Sequence, residues 1–349
     1  MALHDAIQRF LLLGVRLESS PSPPPPRVPE RLAPLVAALE SPHREFDLRA
    51  IHYGHLYRSG YWAIYLLSAL AVLFAVMPLA LGWDTTFHGQ HPYARAWAFG
   101  EVLLIGTVSA VYWLGHRRDW QGQWLRARTT AELLWYLPVV APLLNLDAVA
   151  KTDAGTTEAN WYLRIFDPGQ HVRGADEIGA HCTRLEPLAG SALAGAWSDS
   201  GFVAAYAHWT DEILEQQRRY HAGIVVRQHA LQHRVHWLTA ALFGLTGFGA
   251  LLHLFVHKLW LSLVTIFFPA LGASLHGALA QSEAYRLESS SRRLNEELQK
   301  AIGQIRSAVA APAADYRALQ AAIEAAIALI LEEHQDWNLL VRPHRLPLA

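Results

Sequence analysis

Ionisable side chains inside long apolar stretches are the residues of this sequence best placed to do chemistry. Glu101 lies in the stretch Ala96–Gly115, and 14 residues without a formal charge follow it. A carboxylate at that depth is unfavourable against lipid, so we expect it to face the helix bundle or a water-filled path, or else to reach the outer headgroups. His276 lies in another apolar stretch, where it would bond a neighbouring helix or sense protons.

Three histidines, His229, His233 and His236, fall at positions i, i+4 and i+7 of one predicted helix. Histidines one turn apart can bind zinc, but no nearby carboxylate completes a site, and Arg227 and Arg234 share the stretch. We therefore interpret the three as solvated interfacial histidines and expect no metal and no cofactor. Walker, Rossmann, Cys-x-x-Cys, H-E-x-x-H and G-x-S-x-G signatures are missing, so we expect a protein that is not an enzyme.

The elements that must position these residues are long apolar helices. Gly60–Trp83, Trp237–Val256 and Leu259–Ser282 carry no formal charge, and Ala96–Gly115 carries only that of Glu101. About 20 apolar residues are enough to cross a bilayer as a helix. The sequence therefore predicts an all-α integral membrane protein with four transmembrane helices in two hairpins and a large cytoplasmic helical region.

Lys and Arg residues near the ends of these stretches predict the orientation. One side, here called the basic side, holds fourteen of them, and the other holds only Arg95 and Lys258. The basic side is expected to be cytoplasmic and to hold both termini. The fourteen are Arg44, Arg49, Arg58, Arg117, Arg118, Arg126, Arg128, Arg218, Arg219, Arg227, Arg234, Arg286, Arg292 and Arg293.

Composition agrees with this class. Hydrophobic residues make up 52% of the chain and charged residues 17%, and the net charge of −1 gives no attraction to nucleic acid. The single cysteine, Cys182, suits a reducing compartment, and no signal peptide is apparent.

The predicted organisation has six parts. They are an amphipathic N-terminal helix (1–18), a Pro-rich linker (19–43), a first transmembrane hairpin with a pre-membrane helix (44–116), a cytoplasmic helical region (117–236), a second transmembrane hairpin (237–282) and C-terminal cytoplasmic helices (283–349). The first helix would dock on the protein or lie on the membrane surface. The linker would act as a spacer or bind an SH3-like partner.

Two prolines and one apolar stripe lead to predictions about the cytoplasmic parts. Pro138 and Pro142 are expected to break the helix that leaves the second span, and Lys151–Ser200 is interpreted as loops with short helices. An apolar stripe from Leu287 to Val309 has the spacing of a coiled-coil seam and should pack on another helix of this chain or of a copy.

Small residues and one proline mark the second hairpin. They predict close helix packing, with a gating hinge as the alternative, and a kink at Pro269. The residues are Gly244, Gly247, Gly249, Pro269, Gly272, Ala273 and Gly277.

Short motifs beside both hairpins resemble the bacterial SLATT group, the SMODS- and SLOG-associating two-transmembrane effector proteins. After the first hairpin stand Trp124, Arg128 and Glu132, and before the second stands Trp209 with the run Glu215–His221, which contains Gln217 and Tyr220. Tyr285 follows the second hairpin. The resemblance implies a membrane effector, acting as a pore in bacterial conflict and nucleotide-signalling systems, and it supplies no catalytic residues. This chain departs from the group by having two pairs of spans and no recognisable nucleotide-sensing domain.

These observations together predict an oligomeric effector of the bacterial inner membrane, a gated pore or membrane-disrupting protein that responds to a cytoplasmic signal. The expected partners are membrane lipid, further copies of the chain, and a cytoplasmic protein or nucleotide-signalling partner, but no nucleic acid. A membrane scaffold that recruits cytoplasmic partners is the main alternative, and a membrane enzyme with a His-based site is the third.

Overall fold

The computed structural model describes residues 2–13, 26–83, 92–150, 175–310 and 316–341, and all regular structure in these ranges is helical. The α-helices of the described ranges are α1 (Leu3–Leu11), α2 (Ala33–Ala80), α3 (Pro92–Arg117), α4 (Trp120–Ala150), α5 (Ala175–Leu193), α6 (Ser200–His253), α7 (Phe268–Gln281), α8 (Ala284–Ala310) and α9 (Tyr316–Val341). Short 3₁₀ turns precede α2 and α6, and a π turn, Leu263–Phe267, precedes α7.

Four helical segments are long and apolar enough to cross a membrane, which confirms the all-α fold with four candidate spans. They lie in α2, in α3, in α6 and in the segment that begins at the π turn. The first two pack against each other, as do the last two, and α2 also packs on α7. The two predicted hairpins therefore form one bundle.

The first helix of each hairpin runs without interruption from the basic side into its span. α2 has 48 residues and begins at Ala33. The predicted end of the Pro-rich linker, residue 43, therefore lies ten residues inside α2 and is too late. α6 has 54 residues and starts at Ser200, where the carboxylate of Asp199 caps it by accepting hydrogen bonds from the N–H groups of Gly201 and Phe202. Residues 14–25 of the predicted linker lie outside the described ranges.

The second helix of each hairpin instead ends in a sharp junction. Between α3 and α4, Asp119 has φ +46°, and between α7 and α8, Glu283 has φ +55°. This left-handed conformation is rare for residues other than glycine. At the first junction an Asp119 carboxylate oxygen accepts a hydrogen bond from the N–H of Gly122, 3.3 Å away. The two halves of the chain thus share one plan: a continuous helix followed by a jointed one.

The helix break predicted at Pro138 and Pro142 is wrong, because α4 runs through both prolines. A proline inside a helix costs about 3 kcal/mol, whereas burying one large aliphatic side chain contributes about 1.5–3 kcal/mol. Eight apolar residues of this part of α4 are buried: Leu133, Leu134, Tyr136, Leu137, Val139, Val140, Ala141 and Leu143. Two side chains also donate hydrogen bonds to α4 carbonyls here, Trp197 to that of Pro142 and Tyr206 to that of Val139. Packing therefore outweighs the local preference.

Two other boundaries differ from the predictions. α5 is a 19-residue helix within the segment expected to be loops with short helices; residues 151–174 of that segment lie outside the described ranges. In the second hairpin, α6 ends at His253, before the predicted span end at Val256. In place of the kink expected at Pro269, the chain has the π turn just before α7. Pro269 itself lies in the first turn of α7, where a missing N–H is tolerated.

Two hydrophobic cores lie along α2. The basic-side core joins the start of α2, at Leu32 to Leu39, to the buried faces of α4, α5, α6, α8 and α9. The Leu287–Val309 stripe contributes to it: Leu294, Leu298, Ile302 and Ile305 are buried within the chain. The second core joins the middle of α2 to α3, α4, α6 and α7 at the edge of the spans.

Candidate functional site

Glu101 lies on the side of α3 that turns toward α2. Trp97, one turn before it, has its ring 4.6 Å from that of Phe74 on α2, and Val108, two turns after it, is buried. A Cβ atom at Gly100 would lie 2.4 Å from Phe74, so the two helices are in close contact at this level. Glu101 itself is half-buried. Within the described part of the chain no Lys, Arg or His lies within ion-pairing distance of its carboxylate.

The small residues of the second hairpin separate into two groups. Gly249, Gly272 and Gly277 lie at close contacts: an added Cβ would be 2.8 Å from Val264, 3.2 Å from Phe243 and 2.5 Å from Tyr65, respectively. The last contact joins α7 to α2. Gly244 and Gly247 instead meet nothing within 4 Å and lie on the open face of α6. Ala273 and His276 are likewise exposed, on α7. His276 therefore lies on the outer surface of α7 and does not face another described helix of its own chain.

The histidine triplet on α6 does not converge. His229 Nδ1 lies 3.4 Å from Glu288 Oε1 on α8, whereas His233 Nε2 accepts a hydrogen bond from the indole N–H of Trp237 at 3.0 Å. His236 is exposed and packs edge-on against the same Trp237. Each of the three rings therefore has its own contacts, and their nitrogen atoms do not form one site.

A more closely packed site lies where α2 leaves the basic side and enters its span; we call it the boundary cluster, formed by Tyr57, Arg58, Trp124 and Gln281. The ring of Trp124 stacks on Tyr57 at 5.7 Å and 22°, and the guanidinium of Arg58 lies 5.7 Å from the Trp124 ring centroid. Gly54 makes this approach possible, because a Cβ there would lie 3.0 Å from the indole. Cation–π contact favours a cation that has lost part of its hydration.

Hydrogen bonds join the α2 and α7 parts of the boundary cluster, and the ring of Trp124 adds α4. The side-chain amide of Gln281, at the end of α7, donates to the Tyr57 hydroxyl at 3.0 Å, and Arg58 Nε donates to the Gly54 carbonyl at 3.0 Å. Burial raises the pKa of Tyr57 to about 12, and burial also lowers the pKa of Arg58 from its usual value. Tyr57 is therefore neutral at pH 7, while Arg58 keeps its charge. The cluster joins α2, α4 and α7 within two residues of the Glu283 junction.

The motif residues of the resemblance do not meet at one place. Trp124 belongs to the boundary cluster, and Arg128 and Glu132 form an ion pair further along α4, with Asp47 Oδ1 3.8 Å from Arg128 Nη1. Trp209 is buried in the basic-side core, whereas Tyr220 and Tyr285 are exposed and Gln217 is half-buried. These residues therefore serve different contacts.

Beside the boundary cluster, α1 docks on α2 through a polar contact that the sequence did not predict. His4 is buried, and its Nε2 lies 3.1 Å from Asp5 Oδ1, while His55 Nδ1 lies 3.9 Å from Asp5 Oδ2. Desolvation, which has the largest effect, and the nearby charge of Arg58 together lower the pKa of His4 to about 4, although Asp5 opposes them. His4 is therefore a neutral imidazole at pH 7. These three side chains can hold a metal ion.

Sequence reasoning missed the boundary cluster and the His4 contact for one reason. Their members lie between about 50 and 220 positions apart in the chain, and no local spacing connects them. Of these residues, only Arg58 could be singled out from the sequence, because it is the last charged residue before a long apolar run.

Comparison of the chain with protein-family models, with curated proteins and with solved structures finds no match in any of the three.

Proposed function

We propose that this chain is an oligomeric effector of the bacterial inner membrane, which opens a gated pore or disrupts the membrane when its basic side, the cytoplasmic side, receives a signal. The observation that carries the proposal is the continuity of α2 and α6. At 1.5 Å per residue α2 is about 72 Å long and α6 about 81 Å. Each is one rigid element with one end in the basic-side core and the other in a candidate span.

Such helices couple the two ends mechanically. Leu35 and Leu39 near the start of α2 are buried in the basic-side core, and Trp62 and Ile64 are buried in the core at the spans. A ligand that repacks the first core moves the second, because close-packed helices shift as units and do not deform continuously. The boundary cluster then transmits that movement to α4 and α7.

The outward faces of the spans support assembly of several copies. Within one chain only 11% of the most apolar window of α3 is buried, and 17% of that of α6. Phe99, Val102 and Leu103 on α3 are each at least 60% exposed. These faces must contact lipid or a second copy, and the open Gly244 and Gly247 on α6 permit the close approach of another helix.

A conduit in this proposal lies between copies. The interior of a single chain is filled at the level of the spans: Trp62 and Ile64 are fully buried, and Gly277 is in contact with Tyr65. Glu101, half-buried beside α2 near the far end of α3, would contribute charge to a path bounded by the α2 and α3 helices of neighbouring copies.

Reconstitution tests the proposal directly. The purified full-length chain is incorporated into liposomes and planar bilayers, and ion flux and single-channel currents are compared with protein-free membranes. Discrete currents, together with an oligomeric mass in detergent, are expected. An oligomer that never conducts, with or without cytoplasmic extract on the basic side, would favour a scaffold that gathers partners at the membrane.

Assembly through α6 has its own matched variants. A Cβ atom added at Gly244 or Gly247 meets nothing within 4 Å among the described residues, so a loss of oligomer in Gly244→Leu or Gly247→Leu points to a contact between chains. Phe248, whose side chain is 65% exposed, supplies the control. Phe248→Leu changes the apolar surface of α6 without changing a glycine. Unchanged mass in both glycine variants places the interface elsewhere.

A further inference from the structure

Three ligand-type side chains meet where α1 docks on α2. His4 Nε2, an Asp5 carboxylate oxygen and His55 Nδ1 all lie within 4.8 Å of one another. Around Zn²⁺, ligand atoms about 2.1 Å from the ion in tetrahedral geometry are about 3.4 Å apart. His4 Nε2 lies 3.1 Å from Asp5 Oδ1 and His55 Nδ1 lies 3.9 Å from Asp5 Oδ2, so the two histidines approach different oxygens of one carboxylate. Side-chain shifts on the order of 1 Å would bring the three onto one ion.

We propose that His4, Asp5 and His55 bind a divalent transition-metal ion, best Zn²⁺, and that this ion fastens α1 to α2. Two imidazoles and one carboxylate are a ligand set that Zn²⁺ uses in proteins, with water in the fourth position. The alkaline-earth ions prefer sites made of oxygen ligands only. The inference concerns the docking of α1 and does not depend on whether the protein conducts.

The surroundings of His4 orient it as a metal ligand requires. Its Nδ1 lies 3.4 Å from the hydroxyl of Ser59 on α2, which leaves Nε2 directed at Asp5. An outer-shell partner on the second ring nitrogen fixes the tautomer and the ring orientation at metal sites. The ring of His4 also packs 5.1 Å from that of His55, so both imidazoles approach the same carboxylate from neighbouring directions.

His55 supplies a donor atom that protein groups leave unused. Its Nδ1 is buried and, among the described residues, accepts and donates no hydrogen bond. A buried polar atom without a partner is energetically unfavourable, and a metal ion at this position would satisfy it. The rest of the His55 side chain is 38% exposed, which gives an ion a way in from solvent.

Charges near the site set its expected strength. Asp5 provides one negative charge, which attracts a cation. Arg58 lies close enough to act on both His4 and Asp5, and its positive charge opposes a cation. We therefore expect weaker binding than at a structural site built from thiolates.

The ion would decide how α1 is held. α1 packs on α2 and α6 through a partly apolar side, while Phe10 and Leu13 remain 70% and 66% exposed. Without the ion, α1 is held by this contact, by the Ser59 hydrogen bond and by the hydrogen bond that Arg234 donates to the carbonyl of Leu13. With it, a coordinate bond from each of two helices fixes α1 at the boundary, beside Arg58 and the boundary cluster.

Metal binding by the full-length protein tests the inference. The protein carries a C-terminal tag without histidine, is stripped with chelator, and is titrated with Zn²⁺ by calorimetry in detergent. One Zn²⁺ per chain is expected, together with a Zn²⁺-dependent rise in Tm, since an ion that binds only the folded state stabilises it. His4→Ala and His55→Ala should each weaken binding by more than the roughly 10–100-fold effect of losing an outer-shell partner, and Ser59→Ala by about tenfold.

Two controls separate this site from adventitious binding. His52→Ala, an exposed histidine one turn before His55 on α2, should bind Zn²⁺ like the unmodified chain. Co²⁺ added to the unmodified chain should give visible d–d bands of a low-symmetry nitrogen and oxygen site, a readout that needs no variant to fold. No Zn²⁺ binding, no such bands, or equal affinity in His55→Ala and His52→Ala would each overturn the inference.

Discussion

The guanidinium of Arg306 on α8 donates two parallel hydrogen bonds to the carboxylate of Asp211 on α6, each 2.9 Å long. Asp211 is largely covered, with 15% of its side chain exposed, whereas Arg306 is 60% exposed. The pair lies 95 positions apart in the sequence and joins two helices that leave the same hairpin.

We expect Arg306→Ala to destabilise the basic-side core by about 1 kcal/mol, at the upper end for solvent-exposed pairs because both hydrogen bonds are well formed. Chemical unfolding of the variants measures this, with Arg293→Ala, also exposed on α8, as the control. A double-mutant cycle with Asp211→Asn should give a coupling of similar size. A coupling of zero would mean that water screens the pair completely.

Leu298 is fully buried in the basic-side core, so Leu298→Asp places a charge where no partner is available. The loss of the apolar contacts and the desolvation of the carboxylate should together destabilise the protein by about 3–5 kcal/mol. Thermal unfolding in detergent checks the change, and Gln299→Asp, on the exposed side of the same turn, should have little effect. Equal melting temperatures for the two variants would contradict the packing of this stripe.

Glu215 makes the stability of the folded chain depend on pH. Hydrogen bonding from Arg218, and the charges of Arg218 and Arg219, hold the pKa of Glu215 below its usual value. Because the folded state binds the proton less readily than the unfolded state, this stabilisation is fully present above the unfolded pKa of about 4.3 and is lost as pH falls through the depressed value.

Glu215→Gln should therefore be less stable than the unmodified chain at pH 7, and the two should converge at acid pH. Unfolding curves at several pH values measure the difference. Glu212→Gln, three residues earlier on α6, removes an exposed carboxylate and should show no comparable convergence. A constant difference at all pH values would assign the Glu215 effect to something other than its charge.

Topology follows from the distribution of the Lys and Arg residues on the two sides. Reporter fusions at Gly89 should report the outside, and fusions at Gly169 and after Ala349 the inside. All three sites lie outside the described ranges, so the fusions test the sequence argument alone. An outside signal at Gly169 would falsify the four-span arrangement.

Glu101 offers the sharpest test of a conduit. If the protein conducts and the Glu101 carboxylate faces the path, the carboxylate attracts cations there. Glu101→Gln should therefore reduce the preference for cations. Glu101→Lys should shift the preference toward anions or block the current. Reversal potentials under a salt gradient measure the preference. Thr107→Val, on the exposed part of the same helix, is the matched control for a polar change. Identical reversal potentials for Glu101→Gln and the unmodified chain would remove Glu101 from the path.

The spans and the long helices were predictable because they depend on composition over 20 or more residues. Gly60–Trp83 needs no tertiary information to be recognised as a candidate span, because it is a run of apolar residues without a formal charge. The course of α4 was not predictable, because a local rule at Pro138 and Pro142 competes with packing by α5, α6 and α9 that no local window contains.

The candidate sites were hidden for a related reason. Gln281 meets Tyr57 across 224 positions, and His4 meets His55 only once α1 has docked. In contrast the histidine triplet on α6, which has attractive spacing, is divided among separate partners. Regular spacing places residues on one face, but only tertiary contacts decide whether their donor atoms meet.

The junctions at Asp119 and Glu283 give the bundle a store of conformational energy. A non-glycine residue in the left-handed region is unfavourable by about 1–2 kcal/mol, somewhat less for aspartate. The packing of α4 on α2 and of α8 on α6 must offset that strain at both places. Any arrangement in which α4 continues straight from α3, or α8 from α7, would release it. Extension at either of these two points, both where a candidate span meets the basic side, would therefore recover part of the free energy lost with the packing.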